Sequence, residues 1–138
     1  MPLTVEIITP DETVYAASAH QVVLPTEMGE TGVLPGHVPL VTKLVPGEVR
    51  LTREEGEENL AVDIGFARVM GSDVTILTEA AIDVKEIDLS EVDEARDRAE
   101  KALQQAEREG HDAAEIERLQ SNVRFAIAQR LAKGRRRG

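Results

Sequence analysis

The hydrophobic period of this chain changes once, near Ile87, and that change sets two kinds of structure side by side. Before it, apolar and polar residues alternate. Val5 and Ile7 alternate with Thr4 and Glu6, Val22 and Leu24 lie either side of Val23, and Val49 and Leu51 alternate with Arg50 and Thr52. Leu60, Val62, Ile64 and Phe66 share one parity, and Val74 and Ile76 form a further pair. A period of two turns one face of a strand to the core and the other to water. All four side chains from Leu60 to Phe66 are therefore expected on the inner face. Turn signals recur at short intervals: Pro10-Asp11, the stretch 28–39, Pro46-Gly47, the acidic run 54–58 and Gly71-Ser72-Asp73. The acidic run reads as a solvated hairpin tip. Residues 1–85 are thus expected to form an antiparallel β-sandwich or flattened barrel of about ten strands.

After Ile87 the period is helical. Asp88 or Ser90 can cap a helix, with Glu91 and Asp93 three residues on. Val92, Ala95, Ala99, Ala102, Leu103 and Ala106 then fall on one face. Gly110 marks a C-terminus, and Asp112 with Glu115 opens a second helix whose stripe is Ile116, Leu119, Val123, Ala126, Ile127 and Leu131. Residues 86–138 are expected to form an antiparallel two-helix hairpin. Its first stripe is mostly alanine, which favours the helix but buries little surface. Two readings stand open: a hairpin held weakly enough to open and close, or a thin one that never moves.

The stretch 28–41, MGETGVLPGHVPLV, is rich in Gly29, Gly32, Pro35, Gly36 and Pro39, and its one imidazole is His37. Glycine adopts backbone angles that other residues avoid, and proline fixes φ. The stretch reads as a shaped turn whose task is to present a surface.

Composition removes several classes of function. Cysteine is absent, which excludes disulfides, Cys–Zn sites and thiol chemistry. No run approaches the roughly 20 apolar residues of a membrane span, and MPLTVEIITP lacks the pattern of a secretory signal. The chain is expected to be cytosolic, or peripheral to a membrane on its cytosolic side. A formal charge of −10 argues against nucleic acid as main partner. Its distribution is uneven. Residues 1–85 hold 14 acids and 5 bases, residues 86–138 hold 12 and 11, and no acid follows Glu117. The bases from Arg118 onward (Arg118, Arg124, Arg130, Lys133, Arg135, Arg136, Arg137) are unopposed in sequence. They read either as a solvated terminus or as a cationic helix that pairs with an acidic protein surface. His20, His37 and His111 lack metal-ligand spacing, and no Gly-Lys-Ser/Thr follows the glycines. Ser18, Ser72, Ser90 and Ser121 lack a nucleophile-elbow context. No active site, cofactor or metal is expected.

Glu30, Gly32, Val33, Pro35, Gly36, His37, Pro39 and Leu40 match a signature, E-x-G-I-x-P-G-H-x-P-L, and so the chain resembles the ε subunits of F-type ATP synthases. The likeness continues through 5–15 (VEIITPDETVY), 65–69 (GFARV), 74–81 (VTILTEAA) and 126–129 (AIAQ), in the family's order and over essentially the whole chain. The resemblance implies a non-catalytic rotor subunit, a sandwich followed by a helical hairpin. It implies a sandwich docked on the γ subunit and the c-ring loops, with Glu30 facing the c-ring and Gly32, Pro35, Gly36, His37 and Pro39 completing that contact near γ. It further implies a hairpin that folds against the sandwich or extends along γ to block ATP hydrolysis. Extended, its basic second helix would meet acids of the α and β subunits through Arg118, Arg124 and Arg130, with Lys133 weaker and the last arginines mobile. Residence would be peripheral, on the cytoplasmic side of a bacterial inner membrane or the stromal side of a thylakoid.

Two departures stand out. The family's Gly-Gly-Phe is here Ile64-Gly65-Phe66, which implies a local change of backbone or packing. The ATP-sensing I/L-D-x-x-R-A of some members is here 87–92, IDLSEV: Asp88 is kept, but Glu91 stands for the arginine and Val92 for the alanine. A glutamate there should repel phosphate, so nucleotide binding is expected to be weak or absent. Two other readings compete: a nucleotide sensor whose hairpin closes on ATP, and a small enzyme using carboxylates around His37, which would need a cleft with perturbed acids.

Overall fold

A computed structural model of the chain describes residues 2–135. Ten strands come first: β1 (Leu3–Ile8), β2 (Thr13–Ala19), β3 (Gln21–Thr26), β4 (Gly29–Val33), β5 (Leu40–Leu44), β6 (Gly47–Arg53), β7 (Gly56–Val62), β8 (Gly65–Met70), β9 (Asp73–Thr78) and β10 (Ala81–Asp83). They join in the order β10-β7-β6-β3-β5-β8-β9-β1-β2, with β4 on β3. Neighbours run antiparallel except β1 and β9, which are parallel in the register Val5↔Val74 and Ile7↔Ile76. Alternation explains the core: Leu3, Val5 and Ile7 of β1, Val22 and Leu24 of β3, Val49 and Leu51 of β6 and Val74 and Ile76 of β9 are all buried within it.

The expected inner face of residues 60–66 holds only in part. Leu60 and Val62 are buried in the sandwich core, but Phe66 is 49% exposed. The reason is a break between β7 and β8, where Asp63 N–H donates to the Ala80 carbonyl and the chain restarts with the other parity. Ala67 and Val69 take the inner positions of β8. Ala61 is buried too, on the opposite face of β7 from Leu60, where it joins a second, smaller core.

That second core is made by the hairpin. A 3₁₀ turn (Val84–Glu86) leads to α1 (Leu89–Glu109), and α2 (Ala113–Arg135) returns along it and against β6 and β7. The Asp88 carboxylate accepts from the N–H groups of Ser90 and Glu91 and so caps α1. Gly110 ends it in the left-handed conformation at φ 69°, and Asp112 caps α2 by accepting from Glu115 N–H at 2.9 Å. The inner faces differ from the sequence stripes. Val92, Ala99 and Ala106 are buried but Ala95 is exposed. On α2, Leu119, Ala126, Ala128 and Ala132 are buried, while Ile127 and Leu131 are 44% and 67% exposed. α2 has two neighbours, α1 and the sandwich, and close approach on both sides selects alanine over the bulkier residues.

Candidate functional site

The stretch 28–41 is not one turn. Its first part, β4, is a strand paired with β3 in the register Val23↔Gly32 and Pro25↔Glu30. Gly32 has an ordinary backbone there, and an added Cβ would meet Gln21 Nε2 at an unstrained 3.6 Å. The turn proper is Leu34-Pro35-Gly36-His37. His37 N–H donates to the Leu34 carbonyl at 3.1 Å, and Gly36 has φ 81°. Proline second and a positive-φ glycine third make a type II turn. The His37 ring closes on its own neighbour, with Nδ1 2.6 Å from the Val38 carbonyl oxygen, so Nδ1 carries the proton. Pro39 lies between this turn and β5.

β4 thus separates the motif into two places. Glu30 stands near the β3–β4 hairpin tip, paired with Arg50 of β6. Pro35, Gly36 and His37 stand at the other end of the strand, on the order of 15 Å away at about 3.3 Å per residue. The two ends present different surfaces.

Across the outer side of the sandwich, at the end of β5 away from the turn, lies an apolar face that the sequence periods do not reveal. On the outer side of β5, β8 and β9, Phe66 is opposite Leu77, and Lys43 is opposite Phe66. Val41 is 70% exposed and Leu77 and Met70 are half exposed, while Val38 and Leu34 are exposed before the start of β5. A groove of 640 Å³ runs past Leu44, Phe66 and Leu77, with Lys43, Glu27 and Glu79 at its rim. Contiguous apolar surface rimmed by charge marks a protein contact. The backbone is tight there: a Cβ on Gly65 would lie 1.9 Å from the Leu77 carbonyl oxygen. Gly65 is the glycine of the local Gly-Gly pattern that cannot be replaced, while Ile64 fits half-buried.

The second candidate surface is the basic helix, and here the structure corrects the sequence. The arginines unopposed in sequence find acids in space. Arg118 Nη2 is 2.7 Å from Glu115 Oε1 on its own helix. Arg124 Nε lies 3.6 Å from Asp63 Oδ1 of the sandwich. Arg130 Nη1 reaches both oxygens of Asp93 on α1 at 2.9 Å. Lys133 Nζ donates to the Val84 carbonyl at 3.3 Å. Arg136 and Arg137 lie outside the described residues, as does the Arg135 side chain.

Asp63, Ser121 and Asp93 are the residues that sequence reasoning missed. Ser121 Oγ donates to Asp63 Oδ2 at 2.6 Å across 58 positions of sequence. A lone aspartate at a strand break and a serine in a helix carry no local signal of that pairing. A groove of 380 Å³ runs between α2 and the sandwich here, lined by Arg118 and Arg124 but also by Asp63, Glu79 and Glu117. Three carboxylates beside two guanidiniums do not favour a polyphosphate. Asp88, the acid kept from the nucleotide motif, is engaged as the helix cap, and Glu91 gives α1 an acidic first turn. Among the described residues no group of three or more His, Cys, Asp and Glu is placed to hold a metal, and no helix is long and apolar enough to cross a membrane.

Comparison with known proteins agrees with this architecture. The beta-sandwich domain family of ATP synthase Delta/Epsilon chains matches residues 2–84. The chain is 39% identical over 135 residues to the ATP synthase epsilon chain of Bordetella avium, covering 96% of each. It is 37% identical over 131 residues to that of Bordetella parapertussis, covering 94% of this chain and 91% of the relative. Among solved structures, it superposes on a chain of the Euglena gracilis mitochondrial ATP synthase (OSCP/F1/c-ring, rotational state 1). The TM-score is 0.71 at 25% identity, over 95% of this chain and 81% of the other. A chain of the Tetrahymena thermophila central stalk and c-ring assembly shares the fold, with a TM-score of 0.51 at 17% identity over 62% of this chain and 69% of the other.

Proposed function

The chain belongs to the epsilon chains of ATP synthase, non-catalytic central-stalk subunits of a membrane-associated complex, and from that premise we propose how it divides its work. Residues 1–85 dock on the rotor, and residues 86–138 regulate it. The sandwich couples γ to the c-ring loops through its two separated surfaces: Glu30 and the β3–β4 tip toward the c-ring, and the 34–37 turn with Gly32 and Pro39 toward γ. The hairpin, when it leaves the sandwich, inhibits ATP hydrolysis by presenting Arg118, Arg124, Arg130 and Lys133 to acids of α and β. The complex places the subunit at the membrane peripherally, on the side that carries the catalytic subunits.

The single observation that carries the docking half is the exposed Phe66–Leu77 face, whose groove reaches Glu27 at the β3–β4 tip. Two half-exposed side chains of this size gain on the order of 1–2 kcal/mol each when a partner covers them. A Phe66→Glu, Leu77→Glu double variant buries charge instead. It should weaken binding to the rotor of γ and c-ring by at least about a hundredfold while leaving the sandwich folded, since both side chains point outward. Undiminished binding to that rotor, measured by surface plasmon resonance on the folded variant, would move the interface elsewhere.

The nucleotide-sensor reading has less support. Asp88 is a helix cap, and the α2 groove holds more acid than base. Isothermal titration of the full chain with ATP should show no binding in the micromolar range; a micromolar affinity would reinstate the sensor.

A further inference from the structure

Three arginines on α2 are held by carboxylates at three different distances along the fold. Arg118 pairs within α2, Arg124 with the sandwich, and Arg130 with α1. Any motion of α2 therefore frees them at different stages. Arg118 travels with its partner. Arg124 is freed only when α2 leaves the sandwich, and Arg130 only when α2 leaves α1.

Asp63 is the fixed point of the second of these contacts. Its side chain is 2% exposed. Oδ1 accepts from Ile64 N–H at 2.8 Å, Oδ2 accepts from Ser121 Oγ at 2.6 Å, and the Asp63 carbonyl accepts from Thr78 Oγ1 at 3.0 Å. A buried carboxylate needs such partners, and losing one is costly. Arg124 is served less well. Its Nε and Nη2 are buried, and neither donates a hydrogen bond to an acceptor among the described residues. An acidic surface offering bidentate geometry competes for it on favourable terms. The Arg130–Asp93 pair, by contrast, is doubly bonded but solvent-exposed, so it is worth little to the docked state.

We propose that Asp63, through Ser121 and Arg124, is the latch that holds the hairpin on the sandwich, and that undocking and helix separation are distinct steps freeing Arg124 and Arg130 in turn. This deepens the regulatory reading above and rests on it only for its consequence, not for its geometry. Asp63 and Ser121 act as positioning residues: they hold α2 and, through it, set which arginines an acidic partner can reach.

The absence of cysteine makes the test clean. Ala128→Cys places a single thiol at the junction of the hairpin and the sandwich: Ala128 is buried and lies about 20° round the helix from Ser121, which meets Asp63. Ala99→Cys places one on α1, where Ala99 is buried and α2 is the element α1 packs against. Labelling of each thiol by a maleimide, in the full chain, reports how often its own contact opens. Asp63→Asn and Ser121→Ala should each speed labelling at position 128 by about tenfold or more and leave position 99 within about twofold. Asp93→Asn should speed labelling at position 99 by about two- to fivefold and leave position 128 unchanged. Ser121→Ala removes one hydroxyl from a helix, so it keeps the test sharp should Asp63→Asn disturb the sandwich. Labelling at 128 unmoved by both variants, or the two positions accelerating together, would overturn the latch. The assay uses no ATPase. Failure of the latch is therefore separate from failure of the inhibitory reading, which would show as hydrolysis unmoved by removal of residues 86–138.

Discussion

A Cβ added to Gly65 would meet the Leu77 carbonyl at a distance no side chain tolerates, whereas one added to Gly36 would meet nothing but would sit at φ 81°. The two substitutions should therefore differ in kind. Gly65→Ala must move β8 off β9 and is expected to cost about 3 kcal/mol or more. Gly36→Ala stores only backbone strain, about 1 kcal/mol. Chemical denaturation of the two variants would separate them. Titration acts on the sandwich at another point. The Tyr15 hydroxyl is pushed up to about 12, first by burial and then by the Glu58 carboxylate beside it. The Glu58 carboxyl is held below the usual range by that hydroxyl first and by Arg53 second. The Tyr15–Glu58 approach falls short of hydrogen-bond geometry, so Arg53, with Nη1 2.6 Å from Glu58 Oε1, is the firmer partner. The unfolded chain ionises tyrosine near pH 10, so stability is whole below pH 10 and falls as pH climbs to about 12. For Glu58 the sign reverses: its contribution is present above pH 4.5 and is lost as pH falls through the lower folded value. Tyr15→Phe should remove the alkaline loss and Glu58→Gln part of the acid loss, both read from denaturation midpoints against pH.

At the scale of elements, local chemistry was legible and pairing at a distance was not. Asp88, Gly110 and Asp112 announce the helix ends because each satisfies backbone groups within three or four residues of itself. Pro35-Gly36 announces its turn for the same reason. Asp112→Ala should accordingly cost about 1 kcal/mol of hairpin stability, measured as loss of helical ellipticity on heating. A period of two cannot be carried across the β7–β8 break, where the chain passes through Asp63 and Ile64 and the inner parity changes, so Phe66 faces outward. Counting glycine and proline together suggests a single turn over 28–41. In space Gly32 belongs to a strand and Gly36 to a turn. A single stripe, which puts Ile127 and Leu131 inside, assumes one neighbour, and α2 has two. The Asp63–Ser121 pairing spans 58 residues, a separation at which sequence pattern is silent.

Taken whole, the molecule carries nearly all its net charge on the sandwich, and its basic residues are concentrated at the end of α2. In the docked state three of those bases are matched internally. The cationic surface offered to a partner therefore depends on conformation rather than on sequence alone. Arg118 is the informative residue, because its side chain is 60% exposed and its partner moves with it. Arg118→Glu should relieve inhibition of hydrolysis without changing how the hairpin docks, and high salt should weaken inhibition by screening the same contact. Arg124→Glu, by contrast, disturbs the Asp63 latch as well, so its effect mixes two causes. The most direct measurement compares ATP synthases reconstituted with the full chain and with a chain ending at residue 85, assaying synthesis and hydrolysis together. A docked sandwich with a removable inhibitor predicts synthesis largely retained and hydrolysis raised several-fold in the shortened form. Hydrolysis equal in the two, or synthesis lost with the hairpin, would contradict the division of labour proposed here.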